Sequence, residues 1–156
     1  MVSIQKFLRY WLITVILSLF TTFAFADETT NPVGYWNTMS DKTNTVTSVV
    51  QIWEEQNVLK AKVVKIIPAN GEEANPVCSK CKGDNYNKPI AGMTILWDMV
   101  PTGNNKWGKG QLLDPKTGNV YRGSMTLSQD GNQIKLKGTS GMFSKTKTWV
   151  RTNKPE

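Results

Sequence analysis

Trp107 to Leu127, WGKGQLLDPKTGNVYRGSMTL, is the stretch that decides the fold. At its centre, Asp114-Pro115-Lys116-Thr117-Gly118 is turn chemistry. Proline presets φ, aspartate bonds its own backbone, and glycine takes the left-handed conformation that other residues resist. Trp107–Leu113 and Asn119–Leu127 on either side are short runs of strand-forming residues. Tyr121, Gly123, Met125 and Leu127 share one face of the second run, because alternate side chains of a strand do so. A gap at Gly123 opposite bulky residues leaves a cavity or makes room for a large ring. The stretch reads as a β-hairpin.

The same pattern extends in both directions. Upstream, Val46–Glu54 and Val58–Ile67 flank Gln56-Asn57, a tight hairpin connection. In the later run Leu59, Ala61 and Val63 alternate with Lys60 and Lys62, apolar on one face and wet on the other. Met93–Asp98 follows, with Pro101–Asn105 separating it from Trp107. Downstream, Asp130-Gly131 turns into Gln133–Gly138, and Lys145–Arg151 closes the chain. With Gly34–Thr38 this predicts about eight strands and no helix after the N-terminal region. Eight short strands in sequence order predict an all-β, up-and-down antiparallel barrel, since closure removes exposed edges. Such a barrel is either filled by side chains or holds one small ligand. Pro68–Gly92 interrupts the meander; a loop that long is expected to carry function, here as a lid.

Residues 1–26 read as a secretory leader. Lys6 and Arg9 give the positive start, Trp11–Phe20 the apolar core, and Ala24-Phe25-Ala26 the small-x-small cleavage site. The apolar run is short for a membrane span. The expected mature chain is one barrel domain over residues 27–156, periplasmic or secreted. Processing removes Lys6 and Arg9 from the 19 basic residues, so 17 face 12 acidic ones, an excess of five positive charges. That balance suits an anionic envelope surface, and equally keeps a small protein soluble. The basic residues are spread rather than clustered, which argues against nucleic acid.

Several motifs carry a resemblance. Gly34-x-Trp36 opens the domain, and Cys78-x-x-Cys81 and Pro89-Ile90-x-Gly92 lie in the long loop. Trp107-x-x-Gly110, Leu113-Asp114-Pro115-x-x-Gly118-x-x-Tyr121 and Thr148-Trp149-x-Arg151 follow. Their order resembles the small exported bacterial proteins of the domain of unknown function 2147, over roughly residues 32 to 152. The resemblance implies a lipocalin-like barrel and an envelope or secreted location, and implies no activity. Asn119 and Ser144 stand where basic residues are common in that family. The two ends also resemble the lipocalin pattern, in which an indole packs under an arginine of the last strand. Trp36 and Arg151 would supply that structural closure.

The chemistry-bearing residues point away from catalysis. The chain has no histidine, which removes the usual base near neutral pH and every His-metal arrangement. Glu54 and Glu55 point to opposite faces of one strand, Glu72-Glu73 lie in a loop, and Asp114 belongs to a turn. Cys78 and Cys81 have the spacing of thiol–disulfide oxidoreductases, but they lie in a barrel loop rather than at the start of a helix after a strand. A disulfide that staples the loop is the simpler expectation in an oxidising compartment. No metal site and no cofactor is expected. Trp97, Trp107, Tyr121 and Met125 are the candidate ligand-binding residues, with Lys80, Lys82 and Lys88 drawing an anionic head group. The resulting expectation is a monomeric, non-enzymatic protein that binds a small lipid-like or glycan ligand, or an envelope surface. A redox protein built on the cysteine pair and a purely structural or interaction role are the alternatives.

Overall fold

The computed structural model describes residues 31–156. The expected leader, residues 1–26, lies outside the described residues. Eight strands follow one another: β1 (Gly34–Met39), β2 (Val46–Glu55), β3 (Val58–Ile66), β4 (Thr94–Gly103), β5 (Lys106–Asp114), β6 (Asn119–Leu127), β7 (Gln133–Ser140) and β8 (Phe143–Thr152). Each pairs antiparallel with the next, and β1 pairs with β8, so the sheet closes into a barrel. Every strand therefore has a partner on both sides, although β8 meets β1 only over Trp149–Thr152 and β4 runs on past β3 beyond Met99.

The alternation that predicts the strands also sets their faces. In β7, Ile134, Leu136 and Gly138 are buried while Gln133, Lys135 and Lys137 are exposed. In β6, Gly123, Met125 and Leu127 point in, and Arg122, Ser124 and Thr126 point out. Gln56 and Asn57 both take positive φ, 52° and 64°, the conformation of a tight two-residue hairpin.

Two details differ from the sequence expectation. Strand β4 runs through Pro101 to Gly103 instead of ending before it. Pairing of β3 with β4 stops at Leu59–Met99, so Pro101 has no β3 neighbour that needs its missing N–H. In addition, β4 and β5 bulge opposite each other, with Asp98 at φ 58° and Lys109 at φ 61°. A Cβ on Gly110 would lie 2.8 Å from the Trp97 carbonyl oxygen, which accounts for the glycine in Trp107-x-x-Gly110.

The interior is filled by side chains. Trp36, Ile52, Leu96, Met99, Met125 and Ile134 are almost completely buried in its core. Gly110, Gly123 and Gly138 are cross-strand partners in one inward row. That row is not a void. A Cβ at Gly123 would meet Leu112 Cγ at 2.9 Å and Met99 Cε at 3.0 Å, and one at Gly138 would meet Tyr121 Cβ at 3.1 Å. The glycines make room for large neighbours, as close packing requires.

Candidate functional site

The closed end is built where β1 meets β8. Trp36 is fully buried and its Nε1 donates to the Pro32 carbonyl at 2.9 Å. The Arg151 guanidinium lies 4.3 Å from the centroid of that indole. Its Nε donates to Gly131 O at 2.6 Å, one Nη to Val33 O at 3.2 Å and the other to Asn31 O at 2.7 Å. One side chain thus joins the entry segment, the β6–β7 turn and the Trp36 face. Burial pulls the guanidinium pKa down from its ordinary value, but arginine remains charged in proteins.

The long β3–β4 connection does not cap the barrel. Cys78 and Cys81 are joined as a disulfide and both are buried. Cys78 Sγ lies 3.1 Å from the Pro115 carbonyl oxygen, a packing contact, since a half-cystine has no proton to donate. Gly118 sits at φ 71°, and a Cβ there would lie 1.9 Å from Lys80 O. The disulfide ring therefore clamps onto the Asp114–Gly118 turn, which holds its shape by bonds from Gly118 N to Asp114 O and from Lys116 N to Asp114 Oδ1. Below the clamp, Leu113 is buried against the outer wall, facing opposite to Leu112. The segment expected to be a lid is a buttress beside the mouth.

The opposite end collects a different set of side chains. Trp149 of β8 is buried, and Ile134–Trp149, Leu136–Lys147 and Gly138–Lys145 pair without a register break. Lys147, Lys145 and Phe143 therefore share the inward face with Trp149 and climb towards the rim. Lys147 is half-buried, whereas Lys145 and Phe143 are exposed. Beside them Thr38 Oγ1 lies 2.7 Å from Ser48 Oγ and 2.9 Å from Thr47 Oγ1, a small hydroxyl cluster. Half-buried Tyr121 and Leu112 form the floor above the packed core. At the rim, Lys147 Nζ pairs with the Asp41 carboxylate. That hydrogen bond, aided by the charges of Lys147 and Lys145, holds the Asp41 pKa below the ordinary aspartate value against a desolvation that raises it.

The four aromatic and apolar residues expected to line a mouth do not share one surface. Trp107 and Met125 are cross-strand partners facing inward, within the filled interior. Tyr121 alone of the four faces inward towards the opposite end. Trp97 pairs with Gln111, which pairs with exposed Arg122, so it stands on the outer face. Lys80, Lys82 and Lys88 are exposed on the clamp. No sequence motif singles out Phe143, Lys145 and Lys147, although counting by twos from Trp149 places all three on its face. Among the described residues, no three Cys, Asp or Glu side chains converge as a metal site requires.

A closed eight-stranded meander with an indole under an arginine at one end defines a lipocalin-like barrel. The same fold is found in "Protein HP1028 from the human pathogen Helicobacter pylori belongs to the lipocalin family", at a TM-score of 0.66 and 17% identity, covering 79% of this chain and 84% of that one. The chain belongs to the family described as "Uncharacterized protein conserved in bacteria (DUF2147)", whose model matches residues 34–151. No curated protein matches its sequence.

Proposed function

We propose that this chain is an exported, monomeric, non-catalytic binding protein that takes a small amphipathic anion across the end of its barrel opposite Trp36 and Arg151. The observation that carries the reading is the inward row Phe143, Lys145 and Lys147 above a floor of Tyr121 and Leu112. Two ammonium groups beside a flat apolar ring suit a ligand with a negative head and a short apolar body. Asp41 occupies Lys147 until such a head group displaces it. The filled interior leaves no channel for a long chain along the barrel axis, so the ligand lies across this end. Trp107 and Met125 then act as the floor's support, and Trp97 takes no part.

The cysteine spacing is the one feature that favours a redox role. Against it, Cys78 is fully buried and its sulfur rests on Pro115. A reactive thiolate sits at an accessible, electropositive site. The disulfide serves as the staple of the clamp.

Native mass spectrometry of the protein recovered from its own host tests the reading. A retained small anion, absent from Lys145→Glu/Lys147→Glu protein, is the expected result. A bare protein that also ignores a broad panel of fatty acids, phospholipid fragments and acidic sugars rejects ligand binding and leaves the purely structural role.

A further inference from the structure

The exposed large apolar side chains among the described residues are Ile67, Val77, Tyr86, Val120, Met142 and Phe143. All six lie at the mouth end. Ile67 follows β3, Val77 and Tyr86 belong to the clamp segment, Val120 lies near the start of β6, Met142 is in the β7–β8 turn and Phe143 begins β8. Met142 is 98% exposed and Phe143 81%. At the Trp36–Arg151 end, by contrast, the connections Gln56-Asn57, Asn104-Asn105 and Ser128–Asn132 are polar throughout. The barrel is thus amphipathic along its axis.

Basic residues outnumber acidic ones around the apolar tips, where Glu72, Glu73 and Asp84 also lie on the clamp segment. Two shallow grooves flank Val120 on the outer wall. One, of about 240 Å³, includes Lys82, Asn85 and Gly118, and the other, of about 370 Å³, includes Arg122, Ser140 and Gly141. Lys145 adds a charge just behind Phe143, and Lys116 lies in the turn beneath the clamp. Apolar side chains interleaved with cations are the signature of an interfacial membrane surface.

We infer that the mouth end docks on an anionic phospholipid bilayer, with Met142 and Phe143 entering the interface and Arg122, Lys82 and Lys145 meeting lipid head groups. Charge complementarity selects this occupant. So does the arrangement: the apolar tips come from separate connections divided by lysines, where a folded protein partner requires one continuous complementary face. A fluid bilayer accommodates separate tips. The surface also surrounds the proposed ligand mouth, so an amphipathic anion could pass from the membrane without crossing water.

The test is co-sedimentation with vesicles of phosphatidylcholine alone and with about one third phosphatidylglycerol. Wild-type protein is expected to sediment with the anionic vesicles only, less so as salt rises. Met142→Ser/Phe143→Ser should lose at least tenfold in partition coefficient while its thermal unfolding stays unchanged, since both side chains are already in water. Arg122→Glu should weaken binding several-fold at low salt. Equal partition of wild type and double variant overturns the inference. So does a wild-type dimer in sedimentation velocity that the double variant abolishes without vesicle binding, which assigns the face to a second copy. Titration of wild-type protein with decanoate in vesicle-free buffer separates this inference from the ligand reading. Decanoate binding without vesicle binding rejects the docking surface alone, and vesicle binding without decanoate binding rejects the ligand mouth alone.

Discussion

Replacing Arg151 by Met probes the closed end most sharply, because one side chain there serves four partners. The change keeps the aliphatic stem and removes the guanidinium. Two of the carbonyls it satisfies, on Gly131 and Val33, are in part-buried contacts, and the third, on Asn31, is exposed and can turn to water. Hydrogen bonds from a charged donor are worth about 1.5–3 kcal/mol when buried. The stacking on Trp36 adds about 0.5–2 kcal/mol. Partial exposure discounts both, and a net loss of about 3–4 kcal/mol is expected. That is a large share of the ~5–15 kcal/mol that holds a domain of this size. Trp36→Leu should cost about 3 kcal/mol, since the indole is fully buried and its N–H bonded. Guanidinium titrations followed by far-UV circular dichroism give each value. In the double variant the losses should fall short of additive by about 1 kcal/mol, because the shared contact is removed only once. Should the double variant not fold, Arg151→Lys, which keeps the charge but loses the fork, replaces Arg151→Met in the cycle. Additivity within about 0.3 kcal/mol would refute the claim that the stack closes the barrel.

The other perturbations address the clamp, the rim and the leader. Cys78→Ala/Cys81→Ala should leave the barrel folded and cost no more than about 2 kcal/mol, the limit for so small a ring; an unfolded circular dichroism spectrum would assign the pair a larger role. Gly118→Ala should release the clamp, seen as faster proteolysis between Pro68 and Gly92, because its Cβ would meet Lys80 O. Gly71→Ala, with positive φ but open space around it, should show only the modest backbone penalty. The Asp41 carboxyl should titrate below its ordinary value by NMR and return to it in Lys147→Ala. Since its folded pKa is depressed, the Asp41–Lys147 contribution is present above the unfolded pKa near 4 and is lost as pH falls through the folded one. N-terminal sequencing of exported protein should begin at Asp27, and a chain still starting at Met1 would remove the leader.

Much of the architecture is legible in local pattern. The turn at Asp114–Gly118, the alternation in β3 and β7, and Gln56-Asn57 each specify a local geometry, and closure follows from their sum. Strand β4 is less legible because its limit is set by where β3 stops pairing, a long-range fact that hides the tolerance for Pro101. The candidate site was legible only in Tyr121. Large aromatics drew attention for their chemistry, but a strand's face is decided by parity, and a bulge resets it. The bulge at Asp98 carries no glycine to announce it, so Trp97 gave no sign of facing outwards. The lysines of β8 resemble a solvated face until Trp149 is known to point in. The Cys-x-x-Cys loop and the Asp-Pro-x-x-Gly turn read as separate motifs, although the fold brings them together as one clamp.

The central claim is that ligand lies across the Phe143–Lys147 end of a barrel whose interior is filled. An NMR titration with decanoate, reading backbone amides throughout the barrel, tests it most directly. Saturable shifts at Thr38, Ser48, Tyr121, Phe143, Lys145 and Lys147, with Ile52, Met99 and Ile134 unmoved, are the result the account predicts. Asp41→Asn should tighten the binding by freeing Lys147. Shifts centred on the buried core, or none at saturating decanoate, would contradict it.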